Sequence, residues 1–105
     1  MGPIKRYEIL LPLRYNDGRF IEAEKFKQSK LELIERFGGL TVEPTPALGY
    51  WHAKGRLYED VMIRFHVDAE DTPEVREFFV AYKEVLKERF AQLEIWITAY
   101  SLDII

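Results

Sequence analysis

Leu57-Tyr58-Glu59-Asp60-Val61-Met62-Ile63-Arg64-Phe65-His66-Val67 is the stretch on which the fold turns. Val61, Ile63, Phe65 and Val67 recur every second residue, the spacing of a strand with one face on a core. Met62, Arg64 and His66 fall on the other face, an unusual mixture for a surface that meets only water. Leu93 to Leu102 repeats the pattern, with Leu93, Ile95, Ile97 and Ala99 on one side and Trp96, Thr98 and Tyr100 on the other. Two such strands imply a sheet with helices on one face and a second face carrying aromatics and charges.

Outward from that stretch, the chain reads as strand, helix, strand, strand, helix, strand. Tyr7, Ile9, Leu11 and Leu13 alternate with Glu8, Leu10 and Pro12 as a first strand. Pro12 cannot donate to a ladder, which places it near the strand's end or at an unpaired edge. Asn16-Asp17-Gly18 is a turn signal. A helix is expected over Ile21 to Phe37, with Ala23, Phe26, Leu33, Ile34 and Phe37 on its apolar stripe. Gly38-Gly39 ends it, because glycine accepts the left-handed conformation that follows many helices.

Leu40-Thr41-Val42 begins a second strand that Pro44 and Pro46 interrupt, and Leu48 to His52 resumes it. Ala53-Lys54-Gly55-Arg56 turns the chain into the 57–67 strand. Asp71-Thr72-Pro73-Glu74 starts a helix, with a capping side chain, proline in the first turn and acid at the positive end of the dipole. That helix is expected to run to Ala91 and to bury Val75, Phe78, Phe79, Tyr82, Leu86 and Phe90. With right-handed crossovers, this order predicts an α+β, ferredoxin-like βαββαβ fold: a four-stranded antiparallel sheet, its first and third strands central, two helices on one face. Residues 1–105 read as one domain.

Composition narrows the function classes. The apolar fraction is 48% and the aromatic fraction 14%, which suits a packed core rather than a disordered chain. Fifteen basic and 18 acidic residues give a net charge of -3 with no basic stripe, so nucleic acid is not an expected partner. Without cysteine there is no disulfide, thiolate metal site or cysteine nucleophile. The two histidines, His52 and His66, lack metal-ligand spacing, and neither a metal nor a cofactor is expected. The absence of a signal-like or membrane-length apolar run leads to the expectation of a cytoplasmic protein with no membrane partner.

Phe37-Gly38-Gly39-Leu40-Thr41, then Gly49 and Trp51, then Glu59-Asp60, form the most motif-like segment. It resembles an uncharacterised group of small bacterial proteins with an FGG-x-T element, a nearby G-x-W and an acidic residue before the next strand. The resemblance covers the central third of the chain and implies a ferredoxin-like fold without an assigned activity. Gly38 and Gly39 read either as a helix stop or as a close backbone approach to an anion, and Gly49 as a bulge position. Trp51 reads as a core or interface anchor, or as a lid.

Candidate ligand-binding residues lie on the second sheet face: Glu8, Arg64, His66, Trp96 and Tyr100. Arg64 carries a planar fork that suits a carboxylate or phosphate, or it pairs with Glu8 across the sheet. His66 is a partly wet sheet residue or a proton-transfer group. Trp96 and Tyr100 could line an apolar pocket or make an ordinary interface. Leu10, Met62 and Trp51 are the candidate interface residues. Glu59 and Asp60 point to opposite faces and so make no catalytic dyad. Ser29 and Ser101 have no adjacent base. Three functions remain in view: a self-associating domain, a homodimer through the open sheet face; a small-molecule binder or cofactor-free enzyme with a pocket on that face; and, last, an RNA-binding sheet. The acidic balance and the missing aromatic-basic signature on the first and third strands both count against the last.

Overall fold

Alternation along one long strand organises the molecule. The computed structural model describes residues 2–43 and 45–105. Within them the order is β1 (Ile4–Pro12), α1 (Ala23–Phe37), β2 (Thr41–Val42), β3 (Ala47–Ala53), β4 (Arg56–Glu70), α2 (Pro73–Arg89) and β5 (Trp96–Leu102). The strands run β2-β4-β1-β5, and β3 also pairs with β4. Every pairing is antiparallel. This is the expected α+β, ferredoxin-like arrangement with β1 and β4 in the centre.

The strand count differs from the sequence expectation. The second strand is split into β2 and β3, so the sheet has five strands rather than four. β2 holds only Thr41 and Val42, opposite His66 and Phe65. β3 then takes up pairing with the first half of β4, from Ala47 opposite Met62 to Ala53 opposite Arg56. Pro46 stands in the gap, where a residue without an N–H interrupts a ladder least; Pro44 lies outside the described residues. Lys54 and Gly55, at φ 51° and 72°, close the β3–β4 hairpin. Two successive positive angles give the turn whose twist matches that of the strands it joins.

The helix-facing side of the sheet builds the core. Tyr7, Ile9 and Leu11 from β1 meet Phe65, Val67 and Ala69 from β4, and all are buried. Leu33 covers them from α1, and Phe79, Tyr82 and Leu86 from α2. Tyr7 stacks on Phe79 at 4.1 Å between ring centroids. Each such side chain contributes about 1.5–3 kcal/mol on leaving water. Ile34 departs from the expected stripe and is 44% exposed. Leu93 departs further: it precedes β5 and is 91% exposed, because the strand begins only at Trp96.

Local signals explain the helix ends. Gly38 adopts φ 79° and its N–H returns to the Ile34 carbonyl at 2.7 Å, which ends α1. Thr72 caps α2 by accepting from the Val75 N–H at 3.2 Å, and Pro73 opens the first turn. Helix α1 starts at Ala23 rather than Ile21, since Ile21 is a buried loop residue whose N–H bonds to the Leu13 carbonyl. Helix α2 stops at Arg89, two residues before its expected end. Ala91 lies beyond it with φ 52°.

A polar clamp joins the two helices. Arg89 donates twice to Glu32, at 2.6 and 2.9 Å, and once to the fully buried Ser29 at 2.9 Å. Tyr82 donates to Glu32 at 2.9 Å. Hydrogen bonds from Arg89 hold the Glu32 carboxyl below its usual range, against the opposing effect of burial. A carboxyl lowered on folding stabilises the fold above its unfolded pKa, and that stabilisation is lost as pH falls through the folded value. Because the Glu32 side chain is 37% exposed, solvent screening limits the effect to about 1 kcal/mol. Glu32→Gln is therefore expected to lower the melting temperature at neutral pH, and the gap to the parent protein should close in acid, as followed by circular dichroism across a pH series.

Candidate functional site

Helices cover only one face of the sheet, and the even-numbered residues of β1, β4 and β5 occupy the other. Glu8 stands between His66 on β4 and Thr98 on β5, while Leu10 stands between Arg64 and Trp96. Arg64 lies at the centre of a charged row. Its Nη1 donates to Glu43 at 2.9 Å, and its Nε lies 3.7 Å from Glu8. Tyr100 donates its hydroxyl to Glu8 at 2.9 Å. Four side chains from β1, β4, β5 and the end of β2 are thus tied together across the sheet.

Beside this row, Arg6 and Asp68 pair through two bonds of 2.8 and 3.0 Å. The hydrogen bonds from Arg6 hold the Asp68 carboxyl below its ordinary value. The Nε of Arg64 and the Nδ1 of His66 are both shut off from solvent without a hydrogen-bond partner among the described residues. A buried polar atom left unmatched costs about 1–3 kcal/mol, which sets these two apart from the paired groups around them.

Apolar groups flank the charged row. Trp96 is 61% exposed, and Leu10 and Met62 are half-buried beside it. The same face continues onto the β3–β4 ribbon, where Trp51 stacks on Tyr58 at 6.1 Å and Arg56 lies 5.1 Å above the Tyr58 ring. Trp51 is 43% exposed, so it does not anchor the core. Gly49 sits in regular register and makes no bulge. A Cβ there would stand 2.6 Å from the Met62 methyl, so the glycine makes room for that side chain. Burial without a partner pushes the Asp60 carboxyl up on this surface.

The candidate residues do not all share one pocket. Glu8, Arg64 and Tyr100 converge on the open face, with Trp96 at their flank. His66 instead borders a recess of about 220 Å³ at the sheet edge, opposite Phe37, Gly39 and Thr41 of the FGG-x-T segment. On the far side of Phe37 lies a second recess of about 370 Å³, bounded by Arg36 and Val75. Gly38 serves as the helix stop, whereas Gly39 has no left-handed angle and no atom within 4 Å of a Cβ position. Sequence reasoning missed Glu43, although its spacing from Thr41 places it on the Arg64 side of the sheet. Among the described residues no three histidine, aspartate or glutamate side chains group as a metal cage. No helix among them is long and apolar enough to cross a membrane.

No protein-family model and no curated protein matches the sequence. Solved structures do match its shape. CutA1 from Oryza sativa superposes with a TM-score of 0.66 at 10% identity, covering 98% of this chain and 83% of that one. A phage SAM lyase in complex with S-methyl-5'-thioadenosine gives 0.66 at 14% identity, covering 99% and 92%. The B. subtilis GlnK–ATP complex gives 0.61 at 20% identity, covering 97% and 84%. At these identities the likeness shows the fold alone. It is a fold that holds small α+β proteins with different ligands and activities.

Arg64 separates two carboxylates, and this arrangement has a measurable consequence. Replacing Arg64 with Leu is expected to lower unfolding free energy by about 1–2 kcal/mol, because Glu8 and Glu43 then face each other across the sheet. Adding Glu8→Gln to that variant should recover part of the loss, a coupling of about 0.5–1 kcal/mol read from urea unfolding of the four proteins in the cycle.

Proposed function

We propose that this chain is a self-associating domain whose open sheet face is covered by another copy of itself, with the Arg64 cluster at the centre of the contact. The observation that carries this reading is the composition of that face. Trp96, Tyr100, Trp51 and Tyr58 are each more than a third exposed, on the same face that carries the buried and unmatched Nε of Arg64. Exposed aromatics around a partly desolvated arginine have the makeup of an interface core. The ion pairs beneath them leave little net charge to repel a second identical face.

A second reading, binding of a small molecule with an adenosine moiety, draws on two different observations. Two of the solved structures with this fold carry such ligands, S-methyl-5'-thioadenosine in one and ATP in the other. This chain has an open recess where Phe37 offers an aromatic surface, with Thr41 and His66 offering polar contacts. The two readings are compatible, since a ligand can be held beside a face that another copy covers.

Light scattering on a size-exclusion column tests the first reading. The protein is expected to elute at a multiple of the single-chain mass, a dimer being the simplest case, and Trp96→Glu is expected to shift it toward one chain. A single-chain mass at every concentration would overturn the proposal. Equilibrium dialysis against ATP and S-methyl-5'-thioadenosine tests the second reading, for which retention of at least one is expected.

A further inference from the structure

Among the described residues, backbone groups as well as side chains are left without partners at the sheet's edges. The Leu13 N–H donates to the Val61 carbonyl and the Glu43 N–H to the Arg64 carbonyl, both at 3.0 Å. Odd-numbered residues of β4 therefore turn their backbone groups toward β1, and even-numbered ones toward β2 and β3. Carried through the strand registers, this alternation fixes the outer edges of the sheet. On β3 the outward-turned residues are Leu48, Tyr50 and His52; on β5 they are Ile97, Ala99 and Ser101.

Both edges are long and unguarded. Each strand has seven residues, Ala47–Ala53 and Trp96–Leu102, and neither contains a lysine, arginine, aspartate, glutamate or proline. Sheet proteins that stay single blunt such edges with charge, proline, bulges or very short strands. The two-residue β2 is blunted in this way, whereas β3 and β5 are not. The β3–β4 ribbon is also apolar on its helix-side face, where Leu48, Tyr50 and Leu57 are each 58% exposed. A two-stranded ribbon of this kind is marginal in water by itself.

We infer that β3 of one copy pairs edge to edge with β5 of the next, joining their sheets into one. The geometry supplies a test that the two edges pass. Residues that exchange hydrogen bonds across an antiparallel pair have side chains on the same face. Leu48 and Tyr50 lie on the helix side, as partners of Val61 and Glu59, and so do Ile97 and Ala99, as partners of Ile9 and Tyr7. A joined sheet therefore keeps all helices on one side and all open faces on the other. Unlike edges meeting head to tail generate a closed ring when the rotation closes. In such an assembly Trp51 of one copy and the Tyr100–Glu8–Arg64 row of its neighbour lie on the same, open side of the joined sheet, so that the face bearing the candidate site runs across two chains. This inference rests on the self-association proposed above and specifies its edges.

Proline at an outward-turned position removes a donor that the single chain does not use, which an edge strand tolerates. Tyr50→Pro blocks β3, Ser101→Pro blocks β5, and Tyr50→Thr removes the ring while keeping the N–H. Molar mass by light scattering, with circular dichroism to establish folding, is expected to show assembled parent and Tyr50→Thr proteins and single-chain proline variants. Mixing the two proline variants should then give a complex of two chains, because each retains the edge that the other lacks. Proline variants that assemble like the parent, or a mixture that stays as single chains, would overturn edge pairing while leaving open-face association standing. A parent protein that is a single chain at every concentration would overturn both.

Discussion

The antiparallel pairing of β1 with β4 is the constraint on which everything else depends. Nine consecutive residue pairs, from Ile4 with Glu70 to Pro12 with Met62, fix the register. Because side chains alternate with a period of two, this register decides at once which residues meet the helices and which remain on the open face. A slip of β4 by one residue would send Arg64 and His66 into the core and Phe65 and Val67 into water. The buried Phe65 and Ile9, fully enclosed under Leu33 and Leu86, make that slip prohibitive.

β4 is also longer than its central partner. Beyond Met62 it has no β1 residue to pair with, and it runs on with β3 as a ribbon that stretches the molecule to 47 Å against 28 and 25 Å in the other directions. The ribbon carries the open face outward through Trp51 and Tyr58 and exposes the edge of β3. The same strand therefore holds the core, centres the Arg64 cluster and supports the projecting edge. Folding and the proposed association draw on one element at different points of its length.

Much of this was legible in the sequence, for reasons that can be traced to particular residues. Alternation in 61–67 and 95–100 gave both faces, and glycine, threonine and proline at 38, 72 and 73 gave the helix ends. The Glu8–Arg64 contact followed from strand adjacency and face parity. What escaped was whatever depended on where pairing stops. Leu93 fits the alternation of β5 but precedes its ladder. Although the prolines marked an interruption of the second strand, where β2 stops and β3 takes up pairing with β4 was not readable from them. Glu43 escaped because proline so close by obscured the extended backbone that carries it. Gly49 looked like a bulge because its reason lies across the ribbon, in the Met62 side chain. The unguarded edges needed the hydrogen-bond phase of the ladders, which side-chain alternation alone does not give.

Amide hydrogen exchange resolved along β5 tests the central claim most directly. Inward amides of β5, such as Thr98, bond to β1 in any state and should be protected at all concentrations. If another copy covers this edge and the open face, the outward amides of Ile97, Ala99 and Ser101 should be protected when the protein is concentrated and should exchange quickly on dilution. Outward amides that exchange fast at every concentration, while their inward neighbours stay protected, would contradict the account.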